Sequence, residues 1–186
     1  MDTFWIRWVR NSTLGWLFGL VVVIGLAVLG DIVTSGGGES QLIVGVGIGL
    51  GVGLGQGRLL RAWLGRSTGW AISSVVGMGA LFIVHDLATA TGYAFPFSLP
   101  PYVLLGGLVT GLWEALLLRR VSARAPWWPV ISTLGWGVPA LFLALADAMP
   151  GMWGQLASMS VIFLGGAMLG AVSGAPLKWI LGRAAV

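Results

Sequence analysis

Six stretches of this chain, 11–30, 40–57, 67–84, 87–113, 125–146 and 148–177, contain no charged residue. Each is long enough to cross a bilayer as a helix, which needs roughly 17–25 residues at about 1.5 Å per residue. Lipid offers a backbone group no partner, so a span must satisfy its own N–H and C=O groups or close into a barrel. A barrel would alternate apolar and polar residues over segments of about ten, and these runs are continuously apolar. The expected fold is therefore all-α and integral to the membrane, with six transmembrane helices at about 12–31, 41–59, 68–87, 100–119, 127–147 and 156–178 in a single domain spanning 1–186. Composition points the same way. The chain is 57% hydrophobic and 9% charged, against about 25% charged in an ordinary soluble domain. Arg7 and Arg10 precede a full-length apolar run with no evident small-residue cleavage site, so the first run reads as a span and not as a signal peptide.

The charges that exist are sorted by side. A six-span path brings Arg7 and Arg10, then Arg58, Arg61 and Arg66, then Arg119, Arg120 and Arg124, and finally Lys178 and Arg183 to one face. Asp31, Glu39, His85, Asp86 and Asp147 fall on the other. This is the positive-inside pattern, and it predicts that both termini are cytoplasmic. Trp5, Trp8, Trp63, Trp70, Trp127, Trp128 and Trp179 lie near the same basic face, where an amphipathic indole is favoured at the lipid headgroups. The net charge of +4 follows from this topology and is not a nucleic-acid signal. The absence of cysteine excludes disulfides, thiolate nucleophiles and Cys-ligated metals.

An internal repeat constrains the arrangement further. Ser12-Thr13-Leu14-Gly15-Trp16 recurs unchanged as Ser132-Thr133-Leu134-Gly135-Trp136. The pattern Trp-x3-Ser-x2-Gly occurs at Trp8, Ser12 and Gly15, at Trp70, Ser74 and Gly77, and at Trp128, Ser132 and Gly135. The even-numbered helices share another pattern. Gly49, Gly53, Gln56 and Arg61 match Gly107, Gly111, Glu114 and Arg119, then Gly166, Gly170, Ser173 and Lys178. The chain thus reads as three parallel helical hairpins, helices 2–3, 4–5 and 6–1, related by a pseudo-threefold axis normal to the membrane. The last unit is circularly permuted, which places the two termini side by side.

Helix 2 has glycine at 45, 47, 49, 51, 53, 55 and 57. This alternation never supplies the G-x-G-x-x-G spacing of a phosphate loop. In a helix it makes two glycine-zipper stripes, 45-49-53-57 and 47-51-55, that let backbones approach closely where lipid provides no hydrophobic drive to association. Gly49, Gly53, Gly107, Gly111, Gly166 and Gly170 are the expected packing residues, with the even helices as an inner ring and the odd helices facing more lipid. Pro139 inside helix 5 predicts a kink.

Glu114 is the one carboxylate inside a span and shares the stripe of Gly107 and Gly111, so it points into the packing. Its candidate partners are Ser132, Gln56, Ser173 and the flanking arginines. It reads either as a proton or cation site or, more simply, as a group that pairs with a nearby basic residue and specifies docking. Ser12, Ser74 and Ser132, with Gln56, Glu114 and Ser173, lie at one depth. They either line a small polar site or bond helix to helix for about 0.6–2 kcal/mol each. His85-Asp86 reads as a solvated helix end, since one histidine cannot supply the usual metal ligand set. The outer loop 89–101, with Tyr93, Phe95, Pro96 and Phe97, reads as interfacial. Serine-nucleophile, paired-carboxylate and HExxH arrangements are absent, so no enzyme activity, metal or cofactor is expected.

Through Gly53-x-x-Gln56-x-x-x-Leu60-Arg61 and the following Trp70-x3-Ser74-x2-Gly77, the chain resembles small, glycine-rich, repeat-built six-span bacterial membrane proteins of uncharacterised function. That resemblance covers the four central helices and implies the inner membrane, with Glu114 departing from it where helix 2 has Gln56. In size alone the chain is similar to the substrate-binding subunits of energy-coupling-factor vitamin transporters, without their small-residue coupling motif. The leading expectation is a non-enzymatic helix-packing or assembly subunit, or a lipid-interacting scaffold. Its expected partners are membrane lipids and either another membrane protein or a second copy of the chain, with no nucleic acid. The alternative is a small transporter, channel or solute-binding subunit with a path along the axis near Glu114.

Overall fold

The structure, a computed structural model, describes residues 3–34, 40–92 and 100–182, with backbone only for 32–34. Glu39, Arg183 and the loop residues Tyr93, Phe95, Pro96 and Phe97 lie outside the described residues. Helices α1 (Thr3–Thr34), α2 (Gln41–Leu64), α3 (Thr68–Ala90), α4 (Pro100–Leu118), α5 (Trp128–Asp147) and α6 (Gly151–Leu181) account for nearly all of it, with a single 3-10 turn at Ala125–Trp127 and no strand among the described residues. All six helices are long and apolar enough to cross a membrane. Their outward faces are bare apolar side chains, such as Val21, Ile24, Leu87, Leu116 and Phe163, a surface that suits lipid and not water.

Local chemistry sets the ends. Pro100 and Pro101 open α4, and Pro129 opens α5, in first turns that have no N–H to donate within the helix. Gly65, at φ 70°, stops α2 by returning its N–H to the Arg61 carbonyl at 3.0 Å, and α3 begins three residues later. Helix α5 is continuous from Trp128 to Asp147 through Pro139. With 32 and 31 residues, α1 and α6 exceed what a span about 30 Å thick requires, so they tilt or project from it.

Each helix packs against its neighbours in sequence, and α6 packs back on α1, closing a single ring. Even and odd helices alternate in that ring, which replaces the expected inner ring of even helices. The reason is where the glycines point. Gly49 and Gly53 face α3, where an added Cβ would come within 2.6 Å of the Ser74 carbonyl oxygen and 2.7 Å of Ala71 Cα. Gly107 and Gly111 face α5 at Trp136 and Pro129, each 2.8 Å from such a Cβ, and Gly166 and Gly170 face α1 at Ser12 and Val9, at 2.7 and 2.8 Å. The second stripe of α2 faces the other way, with Gly51 against Gly19 of α1 at 2.7 Å. A helix gripped closely on both sides needs two stripes, and α2 has them.

The interior divides into two apolar layers. Toward the basic end, Trp8, Trp70, Trp128, Leu60, Leu118 and Leu177 are sealed from solvent. Toward the other end, Ile48, Val52, Met78, Phe82, Trp136 and Leu169 form a second cluster.

Candidate functional site

Between these layers lies a knot of polar side chains. The Trp8 Nε1–H donates to Ser173 Oγ (2.9 Å), the Trp70 Nε1–H to Gln56 Oε1 (3.1 Å) and the Trp128 Nε1–H to Glu114 Oε2 (2.7 Å). The three indoles also pack on one another, with ring centroids 6.4 Å apart for Trp8–Trp70, 6.3 Å for Trp8–Trp128 and 5.6 Å for Trp70–Trp128. The expectation that these three tryptophans sit at the lipid interface is therefore corrected. Their indole N–H groups find acceptors on the even helices, which removes the reason to stay at the headgroups. Trp127 and Trp179 do remain on the exterior, where Arg124 lies 4.8 Å over the Trp179 ring.

All six polar positions singled out in the sequence are buried here. Gln56 Nε2 donates to Ser12 Oγ at 3.0 Å, and Ser74 Oγ lies 3.1 Å from Glu114 Oε1 and 3.0 Å from the Trp70 carbonyl oxygen, between which its one proton is shared. Ser132 Oγ donates to the Gly107 carbonyl oxygen at 2.9 Å and Ser173 Oγ to that of Leu169 at 2.6 Å. The pairing of Glu114 with a basic residue does not occur. Its partners include Trp128 and Ser74, and no arginine is among them. Arg119 and Arg120 follow the end of α4 and are exposed, while Glu114, 2% exposed, faces inward. A void of ≈ 10 Å³ remains between Gln56, Glu114, Ser132 and Ser173, with Trp128 and Trp136 completing its wall.

Above this knot, toward the end away from the arginines, the ring is hollow. A cavity of ≈ 320 Å³ is walled by every helix, through Trp16, Ile48, Phe82, Val103, Trp136 and Val161 among others. Gln41, the first residue of α2, is its one polar side chain, and Pro139 and Ala140 line it on the α5 side. Trp136 belongs to the walls of both spaces. The volume is at the lower end of small-molecule sites, roughly 300–1,000 Å³.

At that same end Asp86 does more than close α3. Its carboxylate accepts from Ser40 Oγ (2.7 Å) and from the backbone N–H groups of Gln41 (3.1 Å) and Leu42 (3.0 Å). An anion at a helix N-terminus is favoured by the orphan donors and the helix dipole, so Asp86 caps α2 from the neighbouring helix and is not simply solvated. His85 stands edge-on to Tyr102 with centroids 5.0 Å apart, and Asp147 accepts from Ser158 at 2.8 Å. No group of three metal-ligating side chains occurs among the described residues.

Sequence reasoning missed the cavity, since apolar residues facing a hollow look like apolar residues facing lipid. It also missed the inward turn of the three indoles, although a signal was present. Trp-x3-Ser puts Trp and Ser on one helix face, so a serine read as buried carries its tryptophan inward. Compared with models of protein families, with curated proteins and with solved structures, the chain has no match in any of the three.

Proposed function

We propose that this chain is a membrane-embedded binding protein that takes an apolar small molecule into the hollow of its helix ring. The observation that carries the reading is the ≈ 320 Å³ cavity to which all six helices contribute. Protein interiors are close-packed, with few voids larger than a water molecule. A concavity this size, reached by all six helices and lined almost wholly by apolar side chains, suits an apolar occupant. An assembly subunit held together by glycine contacts has no use for one, and a binder does. A through-channel past Glu114 is disfavoured because three indoles and three leucines fill the axis on its basic side. We take the basic end as cytoplasmic on the positive-inside rule, so the cavity belongs to the outer half of the membrane.

Three parallel hairpins, α2–α3, α4–α5 and α6–α1, are the arrangement that goes with this reading. The same Trp-to-even-helix hydrogen bond and the same glycine-to-odd-helix contact occur within each of them. Leu20, Phe82 and Ala140 occupy one register and all line the cavity. The small Ala140 breaks the symmetry and makes room on the α5 side, as an asymmetric ligand requires.

The test is to purify the protein, extract it with organic solvent and identify what is released by mass spectrometry. An apolar small molecule at close to one per chain is the expected result. Ala140→Phe should fill the cavity and lower recovery at least tenfold while the protein still unfolds cooperatively on heating. Equal recovery from both proteins would mean that whatever is bound lies elsewhere, and the scaffold reading would take its place.

A further inference from the structure

We infer that the small void beneath the cavity is a binding site for one monovalent cation of about sodium's size, held by Glu114. The inference stands on the polar knot alone and does not depend on what fills the apolar cavity.

A count of donors and acceptors around the void carries it. Ser132 has spent its proton on the Gly107 carbonyl oxygen, and Ser173 has spent its own on that of Leu169. Each hydroxyl therefore turns only lone pairs to the void, one of the Ser173 pairs being taken by Trp8. The Gln56 carbonyl oxygen accepts one bond, from Trp70, and has a second lone pair, while its amide nitrogen gives one of its two protons to Ser12 Oγ. The Glu114 carboxylate accepts from Trp128 and Ser74, with Ser73 also beside it, and has about four acceptor sites in all when ionised. These four side chains line the void, and each retains an acceptor site. Four oxygen acceptors around one space ask for something positive between them.

Charge and size narrow the occupant. No Lys or Arg lines the void, and an ionised carboxylate inside a membrane is costly where no positive charge balances it. One carboxylate with three neutral oxygens is balanced by a single positive charge. A divalent ion would leave a surplus charge, and calcium takes 6–8 oxygen ligands. A volume of ≈ 10 Å³ accommodates about one water-sized particle. A neutral water could satisfy two of the acceptors but would leave the charge of Glu114 unbalanced.

The experiment is a thermal unfolding series on the purified full chain at fixed pH and fixed ionic strength, with sodium chloride replacing choline chloride. A ligand of the folded state stabilises by mass action. The midpoint should therefore rise with sodium and saturate, and Trp emission should shift with the same concentration dependence because two indoles wall the void. Glu114→Gln should abolish both responses. Ser132→Ala, which removes one oxygen and leaves the carboxylate in place, should raise the sodium concentration at half-effect at least fivefold, so the proposal remains testable if the Glu114 variant fails to fold. A wild-type midpoint that is equal in sodium and choline overturns the proposal. So does a midpoint that responds to pH but not to sodium, because a proton would then balance Glu114.

Discussion

Trp70 of α3 and Trp128 of α5 each donate an indole N–H to a side chain of the preceding helix, but the acceptor is an amide in one case and a carboxylate in the other. A hydrogen bond to a charged group contributes roughly 1.5–3 kcal/mol, against about 0.5–1.5 for a neutral pair. Replacing either tryptophan by phenylalanine removes similar packing, so the difference between the two variants isolates the acceptor. Trp128→Phe is expected to destabilise more than Trp70→Phe by about 1 kcal/mol, measured by thermal unfolding in one detergent. Equal losses would mean that Glu114 carries no negative charge there. At this scale the sequence discloses the level of the polar groups and little of their pairing. Glu114 on a glycine stripe must face inward, which follows from spacing. That its donors are Trp128 and Ser74, and not an arginine one turn away, depends on how far α4 runs and which face its end presents, and a linear pattern does not contain that.

Helices are the most legible part of the chain, because lipid leaves a polypeptide so few choices and each run of apolar residues must satisfy its own backbone. Which helix each stripe meets is less legible. The glycines of α2 announce two close faces, but only the packed ring assigns 45-49-53-57 to α3 and 47-51-55 to α1. The expectation of an inner ring fails for this reason. A stripe says that something comes close, and it does not say on which side of the axis that neighbour stands. Two glycines test the assignment. A methyl group on Gly51 would lie 2.7 Å from Gly19 Cα, whereas one on Gly25 meets nothing within 4 Å. Gly51→Ala is expected to force α1 and α2 apart and cost at least about 1–3 kcal/mol. Gly25→Ala should be neutral, or stabilise by up to about 1 kcal/mol through helix propensity. A thermal midpoint that falls equally in both would remove the close contact as the cause.

For the molecule as a whole, α6 and α1 are joined as closely as helices that are consecutive in sequence. The Trp8 indole bonds Ser173, the Trp5 indole bonds the Ala171 carbonyl oxygen at 3.3 Å, and Phe4 shares an apolar cluster with Leu177, Ile180 and Leu181. If the repeat unit is the hairpin, the contact of α6 with α1 should hold α1 in the ring without its peptide link to α2. A permuted chain that starts at Gln41, runs to residue 186, and continues through a short polar linker into residues 1–36 would then present three hairpins in line, α2–α3, α4–α5 and α6–α1. Loop closure depends only weakly on linker length, so such a protein is expected to keep the thermal midpoint of the parent within a few degrees. Because permutation also moves the first span to be inserted, the same question should be put to two co-expressed pieces, 1–36 and 37–186, which keep the original order of insertion. They should copurify as one folded ring. Pieces that insert but do not associate would show that continuity between α1 and α2, and not the contact of α1 with α6, holds the first helix in place, and the three-hairpin description would lose its physical content.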